Sequence, residues 1–130
     1  MNILYEDREL VICQKPAGVI SEEGGMPELL RDATGSREIF CVHRLDRETG
    51  GLMVYAKTRR AAAGLSAAIA AGQLHKEYLA VVQGEPEAQG VMRDLLYRDA
   101  GKTNPTWSSG CAGACGRRSC AMRGVPSGKD

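Results

Sequence analysis

Large aromatic residues are scarce in this 130-residue chain, which contains one Phe, one Trp and four Tyr. Because 43% of the residues are nevertheless hydrophobic, a core must be built mainly from Leu, Val, Ile, Ala and Met. The length allows at most one small domain around such a core. The composition is that of a globular protein.

Long apolar runs are also missing. No stretch approaches the roughly 20 consecutive apolar residues of a membrane-spanning helix, and the N-terminal segment MNILYEDREL lacks the basic and apolar regions of a secretion signal. The five cysteines are an odd number without a framework, which argues against a secreted disulfide scaffold. These absences predict a soluble, cytoplasmic protein that has no membrane partner.

Net charge is nearly absent, at +1 for the whole chain, but it is unevenly divided. Residues 101–130 carry five basic residues and one acidic, whereas residues 1–100 carry twelve basic and fifteen acidic. A nucleic acid would therefore have to bind a local basic patch. The candidate cations of this patch are Arg44, Arg47, Lys57, Arg59 and Arg60. A solvated helix start explains the last two equally well.

Five short segments have the pattern of β-strands. Residues 3–5 and 10–14 predict the two strands of an opening hairpin. The apolar runs at residues 39–42 and 52–56 predict two more strands, joined by a loop. Residues 76–82 alternate in polarity and predict a fifth strand.

Two helices are indicated by their end signals. Pro27 is typical of a first helical turn, and Gly35 is placed to end that helix. Thr58 predicts the cap of a second helix that ends at Gly72. The inward stripe of the second helix is expected to contain Ala62, Leu65 and Ile69. Strands and helices mix without a β-α-β period, which predicts an α+β fold with a mixed, mainly antiparallel sheet.

One carboxylate stands out in the segment HRLDRETGGLMVYAK at residues 43–57. Asp46 follows Arg44 by two residues and directly precedes Arg47, and both guanidinium groups favour its ionised form. Gly51 and the glycine before it allow a tight turn or a close approach of a ligand. A surface loop with a salt bridge is the ordinary explanation of an isolated Arg-x-Asp sequence.

The whole of residues 43–57 resembles the signature of the RluA family of RNA pseudouridine synthases, HRLDxxTSGLLLxAK, with Gly50 in place of the usual serine. LVICQKPAG at residues 10–18 resembles the family's opening strand and Lys-Pro-x-Gly turn. KEYLAVVQG at residues 76–84 resembles its strand with a lysine and a tyrosine. The resemblance implies that residues 1–101 are the front half of a pseudouridine synthase catalytic domain.

The resemblance also implies which residues perform the chemistry. Asp46 would be the catalytic residue, because breaking the bond between uracil N1 and ribose C1′ needs an ionised carboxylate beside C1′. Tyr78 would contact the uracil, which must first be flipped out of the RNA, although a half-buried strand tyrosine is the alternative. The implied partner is ribosomal or transfer RNA, and the chemistry requires neither a metal nor a cofactor.

The remaining candidates surround Asp46 in the sequence or belong to the other two motifs. Those expected to bind RNA or substrate are Arg44, Lys15, Lys76 and Arg47. Those expected to shape the site are His43, Thr49 and Gly51. A guanidinium stacks on bases and binds phosphate, but Arg44 has the alternative of pairing with Asp46. The two lysines would reach phosphate or hold the site electrostatically, and surface solvation is the alternative for both.

The resemblance breaks at residues 102–130, which are rich in Gly, Ser and Cys and have no hydrophobic period. We expect this non-family tail to be disordered or to derive from a reading-frame shift near Lys102. The sequence lacks the family's later strands and the arginine motif that pairs with the catalytic aspartate. Three functions therefore stay open: a pseudouridine synthase, an inactive RNA-binding remnant, and a small metal-binding protein. The tail cysteines are Cys111, Cys115 and Cys120, whose spacing lacks the Cys-x-x-Cys pair of zinc sites.

Overall fold

The computed structural model of the chain describes residues 1–81, 83–84, 89–97, 106–107 and 115–123. It divides into two compact units, Met1–Glu77 and Tyr78–Asp130. The boundary that the sequence predicts after residue 101 therefore lies inside the second unit.

The first unit contains a four-stranded sheet, which confirms the four strands expected there. Its strands are β1 (Asn2–Glu6), β2 (Leu10–Lys15), β3 (Phe40–Cys41) and β4 (Gly51–Ala56), in the order β1-β2-β4-β3. All three pairings are antiparallel. The turn between β1 and β2 is closed by Asp7, whose carboxylate accepts the N–H groups of Glu9 and Leu10 at 2.7 and 2.8 Å.

Two helices accompany this sheet, and both have the expected caps. In α1 (Met26–Thr34), Gly35 takes up a left-handed φ of 68° and its N–H bonds the Arg31 carbonyl at 2.9 Å. In α2 (Arg59–Ala70), the Thr58 hydroxyl accepts the Ala61 N–H at 3.2 Å. Neither helix of the described residues has the length and apolar character needed to cross a membrane.

The core of the first unit lies on one face of the sheet. Strand alternation and the β2–β4 register place Val11 opposite Tyr55 and Cys13 opposite Met53. The buried cluster consists of Val11, Cys13, Met26, Leu30, Ile39, Met53 and Tyr55. Helix α2 packs against β3 and β4, but its inward stripe is only half-buried. Tyr55 is thus the one aromatic ring in a cluster of aliphatic and sulfur-containing side chains.

The second unit contains three strands, β5 (Gln89–Tyr97), β6 (Thr106–Trp107) and β7 (Cys115–Arg123). They lie in the order β6-β5-β7 with antiparallel pairing. Strand β7 lies within the predicted tail and pairs with β5 along the whole of both strands, while the origin and order of the tail as a whole stay predictions. Backbone pairing with a neighbour gives a strand where the sequence has no period of its own. Residues 102–105, 108–114 and 124–130 lie outside the described residues, and the reading-frame shift stays a prediction.

The strand predicted at residues 76–82 is not found. Residues 75–81 have no regular secondary structure, and residue 82 lies outside the described part of the chain. The Leu79 and Val81 side chains are almost fully exposed. Alternation alone does not make a strand, since its backbone groups need a neighbour to bond, and none of the described strands pairs with this segment.

Candidate active site

The loop that carries Asp46 connects β3 to β4, as the sequence predicts. These strands pair with each other, with Phe40 opposite Ala56 and Cys41 opposite Tyr55. Asp46 is exposed in the loop, and its carbonyl accepts the N–H of Thr49 at 3.0 Å to close a turn. The loop therefore presents the carboxylate at the end of a hairpin whose strands lie in the core sheet.

The residue after Asp46 is fixed by the segment that follows β2. The Arg47 carbonyl accepts the Gly18 N–H at 2.8 Å and Lys15 Nζ at 3.1 Å. In return, Arg47 Nε donates to the Gly18 carbonyl at 2.9 Å. The guanidinium expected to bind RNA thus holds the Lys-Pro-Ala-Gly turn against the Asp46 loop.

Lys15 has a different position from the one expected. Its side chain is 0% exposed, and Nζ also donates to the carbonyls of Pro16 at 3.1 Å and Val19 at 2.6 Å. Lys15 follows Val11 and Cys13 on the inward face of β2, opposite a glycine of β4. This burial contradicts surface solvation and leaves no exposed ammonium for phosphate, whereas the expectation that Lys15 holds the site electrostatically stays a prediction. Its place in this alternation was the sequence signal that we missed.

The residue before Asp46 is fixed by Ser21, which sequence reasoning did not single out. The Ser21 hydroxyl donates to the Leu45 carbonyl at 2.7 Å and accepts the Leu45 N–H at 3.0 Å. Ser21 is 3% exposed, and its own carbonyl accepts the buried Tyr55 hydroxyl at 2.9 Å. These contacts join residues 24 and 34 positions apart, so no local motif indicates them. The one available signal was Tyr55, since a buried tyrosine hydroxyl needs a partner.

His43 has the structural role expected of it. Its Nε2 accepts the Val54 N–H at 3.2 Å, which joins the loop to β4, and its carbonyl accepts the Cys41 thiol at 3.0 Å. Burial, followed by the positive charge of Lys76, holds the pKa of His43 below its usual value of 6.5. The neutral imidazole is the form that accepts a hydrogen bond at Nε2.

Gly51 lies close to the same loop, and the end of the Leu45 side chain would have to shift by a few tenths of an ångström to admit a side chain there. A side chain built there would place its Cβ 3.3 Å from Leu45 Cδ1. Gly50 differs, since a Cβ there would lie 3.4 Å from the Ala17 nitrogen and the Lys15 carbonyl oxygen. The serine that the family usually has at this position would therefore meet ordinary contacts with the Lys-Pro-Ala-Gly turn.

Neither neighbouring arginine pairs with Asp46. Arg44 Nη1 lies 3.4 Å from Glu22 Oε1, and both of these side chains are exposed. Within the part of the chain that the structure describes, the Asp46 carboxylate has no hydrogen bond or ion pair. The carboxylate is open to a ligand, while the backbone on both sides of it is fixed.

The five cations of the predicted patch form two groups, one before and one after β4. Arg44 and Arg47 precede β4, whereas Lys57 and the two arginines after it follow β4, whose six residues span about 20 Å. The second group is also paired with carboxylates. These pairs are Lys57–Glu6 at 2.7 Å, Arg59–Glu38 at 3.6 Å and Arg60–Glu9 at 2.8 Å. The second group is therefore partly neutralised, and a patch that contains all five cations stays a prediction.

Two predicted residues lie away from this loop in the sequence. Lys76 is exposed near the end of the first unit, and Tyr78, which is 61% exposed, belongs to the second unit. The contact of Tyr78 with uracil and the contact of Lys76 with RNA stay predictions. The structure places Arg44 and Arg47 in the Asp46 loop and bonds Lys15 to it, and it places Lys76 near enough for its charge to act on His43.

The cysteines can be assessed only in part. Among the described residues, no group of three or more His, Cys, Asp or Glu side chains is arranged to hold a metal ion. Cys111 lies outside those residues, so the tail cysteines are not tested as a metal site. Burial raises the pKa of the Cys13 thiol to about 11, which makes it a poor nucleophile.

The family model for RNA pseudouridylate synthase matches residues 9–121 of the chain. The chain belongs to this family. The RluA-type resemblance is confirmed by the curated relatives that it matches. The dual-specificity RNA pseudouridine synthase RluA of Vibrio vulnificus is 42% identical over 100 residues, covering 72% of this chain and 40% of that protein. The tRNA pseudouridine synthase C of Vibrio parahaemolyticus is 32% identical over 117 residues, covering 84% and 47%.

A solved structure shows the same fold. Human RNA pseudouridylate synthase domain containing 4 matches with a TM-score of 0.61 at 21% sequence identity, over 91% of this chain and 51% of that chain. This match confirms the α+β fold class. The chain spans less than half the length of the two Vibrio relatives.

Proposed function

We propose that the chain carries the catalytic loop of an RNA pseudouridine synthase, which isomerises uridine to pseudouridine in structured RNA through Asp46. The observation that supports this most directly is the placement of an exposed carboxylate on a backbone fixed at both neighbouring residues. A backbone held in this way does not have to be ordered when the substrate arrives.

The proposed reaction uses the carboxylate as an anion beside ribose C1′. The bond from C1′ to uracil N1 breaks, the base turns, and C1′ bonds to C5, while the proton leaves C5 and N1 gains one. The sugar passes through a centre with oxocarbenium character, which a positioned anion stabilises, either by direct bonding or by charge. Asp46 supplies that anion from the protein itself, so the step needs no metal or cofactor.

RNA is the proposed substrate, and the target uridine has to be flipped out to reach Asp46 at a cost of a few kcal/mol. Arg44 is an exposed cation of this loop, and among the described residues its side chain forms a long ion pair with Glu22. We assign it to RNA, where its guanidinium can stack or bind phosphate. One relative is named for two RNA specificities and another for tRNA, and a third is named a ribosomal large subunit pseudouridine synthase. These names support ribosomal or transfer RNA as the substrate.

The test is tritium release from RNA labelled at uridine C5, measured for the unaltered chain, Asp46→Asn and Asp32→Asn. Asp32 is an exposed carboxylate on α1 and serves as the matched control. We expect release from the unaltered chain and from the control, and none from Asp46→Asn. Equal release from Asp46→Asn would contradict the role of Asp46. RNA binding without release by the unaltered chain would instead identify an RNA-binding protein without isomerase activity.

A further inference from the structure

Two independent anchors hold the backbone around Asp46. The first, from Lys15 and Gly18, bonds the carbonyl of Arg47. The second, from Ser21, bonds both backbone groups of Leu45. The second anchor has a feature that the first lacks, since one hydroxyl acts as donor and acceptor to the same residue. The Leu45 peptide groups can therefore neither turn nor shift without breaking a bond to Ser21.

Ser21 is itself held from the core. The Tyr55 hydroxyl donates to the Ser21 carbonyl at 2.9 Å, and the ring is completely buried in the cluster of β2 and β4 side chains. Burial raises the pKa of Tyr55 above its usual value, so the hydroxyl remains a donor at any physiological pH. A connected path of hydrogen bonds thus runs from the sheet, through Ser21, to the residue that precedes Asp46.

We infer that Ser21, held by Tyr55, is a positioning residue that fixes the Asp46 carboxylate for reaction. The inference rests on the proposed function for its catalytic consequence, but the geometry it describes can be measured separately. Ser21 is 3% exposed and does not itself reach substrate. Its removal is therefore expected to affect the reaction step rather than RNA binding.

The magnitude follows from the sensitivity of catalysis to distance. A displacement of a reacting group by about 1 Å costs up to about 100-fold in rate. In Ser21→Ala, Leu45 loses the partner of both its N–H and its carbonyl, and the loop is free to shift. We expect kcat for tritium release to fall about 10- to 100-fold with KM changed less than about threefold. Tyr55→Phe, which keeps the buried ring, is expected to show a smaller decrease in kcat, and Ser21→Thr, which keeps the hydroxyl, to recover most of the rate.

Amide hydrogen exchange provides the second measurement. The Leu45 N–H donates to Ser21, whereas the Lys57 N–H donates to the Glu9 carbonyl at 2.7 Å beyond the other end of β4. In Ser21→Ala we expect exchange at Leu45 to accelerate at least about tenfold and exchange at Lys57 to stay unchanged. Acceleration at both amides would mean that the variant is merely destabilised, and would overturn a specific positioning role.

The two proposals fail in different ways. If Leu45 exchange is unchanged in Ser21→Ala, or if it accelerates while kcat is retained, the positioning role is wrong and the proposed function stands. If the unaltered chain releases no more tritium than Asp46→Asn, the proposed function is wrong and the catalytic part of this inference falls with it. In that case the exchange measurement alone decides whether Ser21 fixes the loop.

Discussion

Replacement of Lys15 by methionine tests the buried anchor of the Asp46 loop. The ammonium donates to three carbonyls, those of Pro16, Val19 and Arg47, and it is removed completely from water. Each hydrogen bond to a charged group is worth about 1.5–3 kcal/mol. Desolvation of the ammonium offsets several kcal/mol of the stabilisation that these hydrogen bonds provide. In the variant, burial of the methionine side chain contributes about 2 kcal/mol of stability in their place.

We expect a net loss of about 2–4 kcal/mol in the free energy of unfolding for Lys15→Met. This is a large part of the roughly 5–15 kcal/mol that stabilises a whole domain. Urea unfolding followed by circular dichroism measures the loss. Arg59→Met is the control, because Arg59 is an exposed cation whose contact with Glu38 is 3.6 Å, and its loss is expected to cost less than about 1 kcal/mol.

Equal losses in the two variants would refute the reasoning, since they would mean that a buried cation with three carbonyl partners is worth no more than a solvated one. A more stable Lys15→Met variant would refute it as well. That result would show that desolvation of the ammonium exceeds its hydrogen bonds, as happens when some buried ion pairs are replaced by apolar residues.

Three further predictions concern the same loop. Glu22→Gln, which removes the partner of Arg44, is expected to tighten binding to an RNA stem-loop about two- to fivefold in fluorescence anisotropy at low salt; unchanged or weaker binding would contradict a role for Arg44 in RNA contact. The lowered pKa of His43 means that the unfolded state binds more protons just below pH 6.5, so thermal stability should fall as the pH drops from 6.5 towards the folded-state pKa. A His43→Gln variant, whose amide oxygen can still accept the Val54 N–H, should lose that part of the slope, and an identical slope would exclude His43 as its source. Gly50→Ser is expected to leave the unfolding free energy unchanged or to raise it by up to about 1 kcal/mol, because it restricts the unfolded chain and meets contacts of 3.4 Å; a loss above about 1 kcal/mol would show that the turn cannot yield.

The sequence predicted the first unit well wherever the signals were local. The short apolar segment after the charged turn predicted β2, and the apolar run at residues 52–56 predicted β4. The Thr58 cap and the Gly35 stop predicted the two helices. All of these signals depend on neighbouring residues. The strand predicted at residues 76–82 is not found and the strand β7 was not predicted, for one shared reason. Whether a segment forms a strand depends on whether another strand lies beside it. The residues of neither segment reveal whether such a partner is present.

The candidate site shows the same division. Asp46 and its loop were located from a continuous motif, and His43 was assigned to backbone bonding from its place beside a strand. The burial of Lys15 was missed because the prediction followed the charge of lysine rather than the position of Lys15 in the alternation with Val11. Ser21 was missed entirely, since its partner Leu45 is 24 positions away along the chain.

The length of the segment from Lys15 to Ser21 sets the distance between the two points at which the Asp46 loop is anchored. Its two ends bond the residues on either side of Asp46, while Ala17 and Ile20 between them are exposed. The side chains within the segment can therefore be exchanged more readily than its length can be altered. A single inserted or deleted residue would move one anchor relative to the other. A protein with this loop would therefore tolerate substitutions in the segment far better than insertions or deletions.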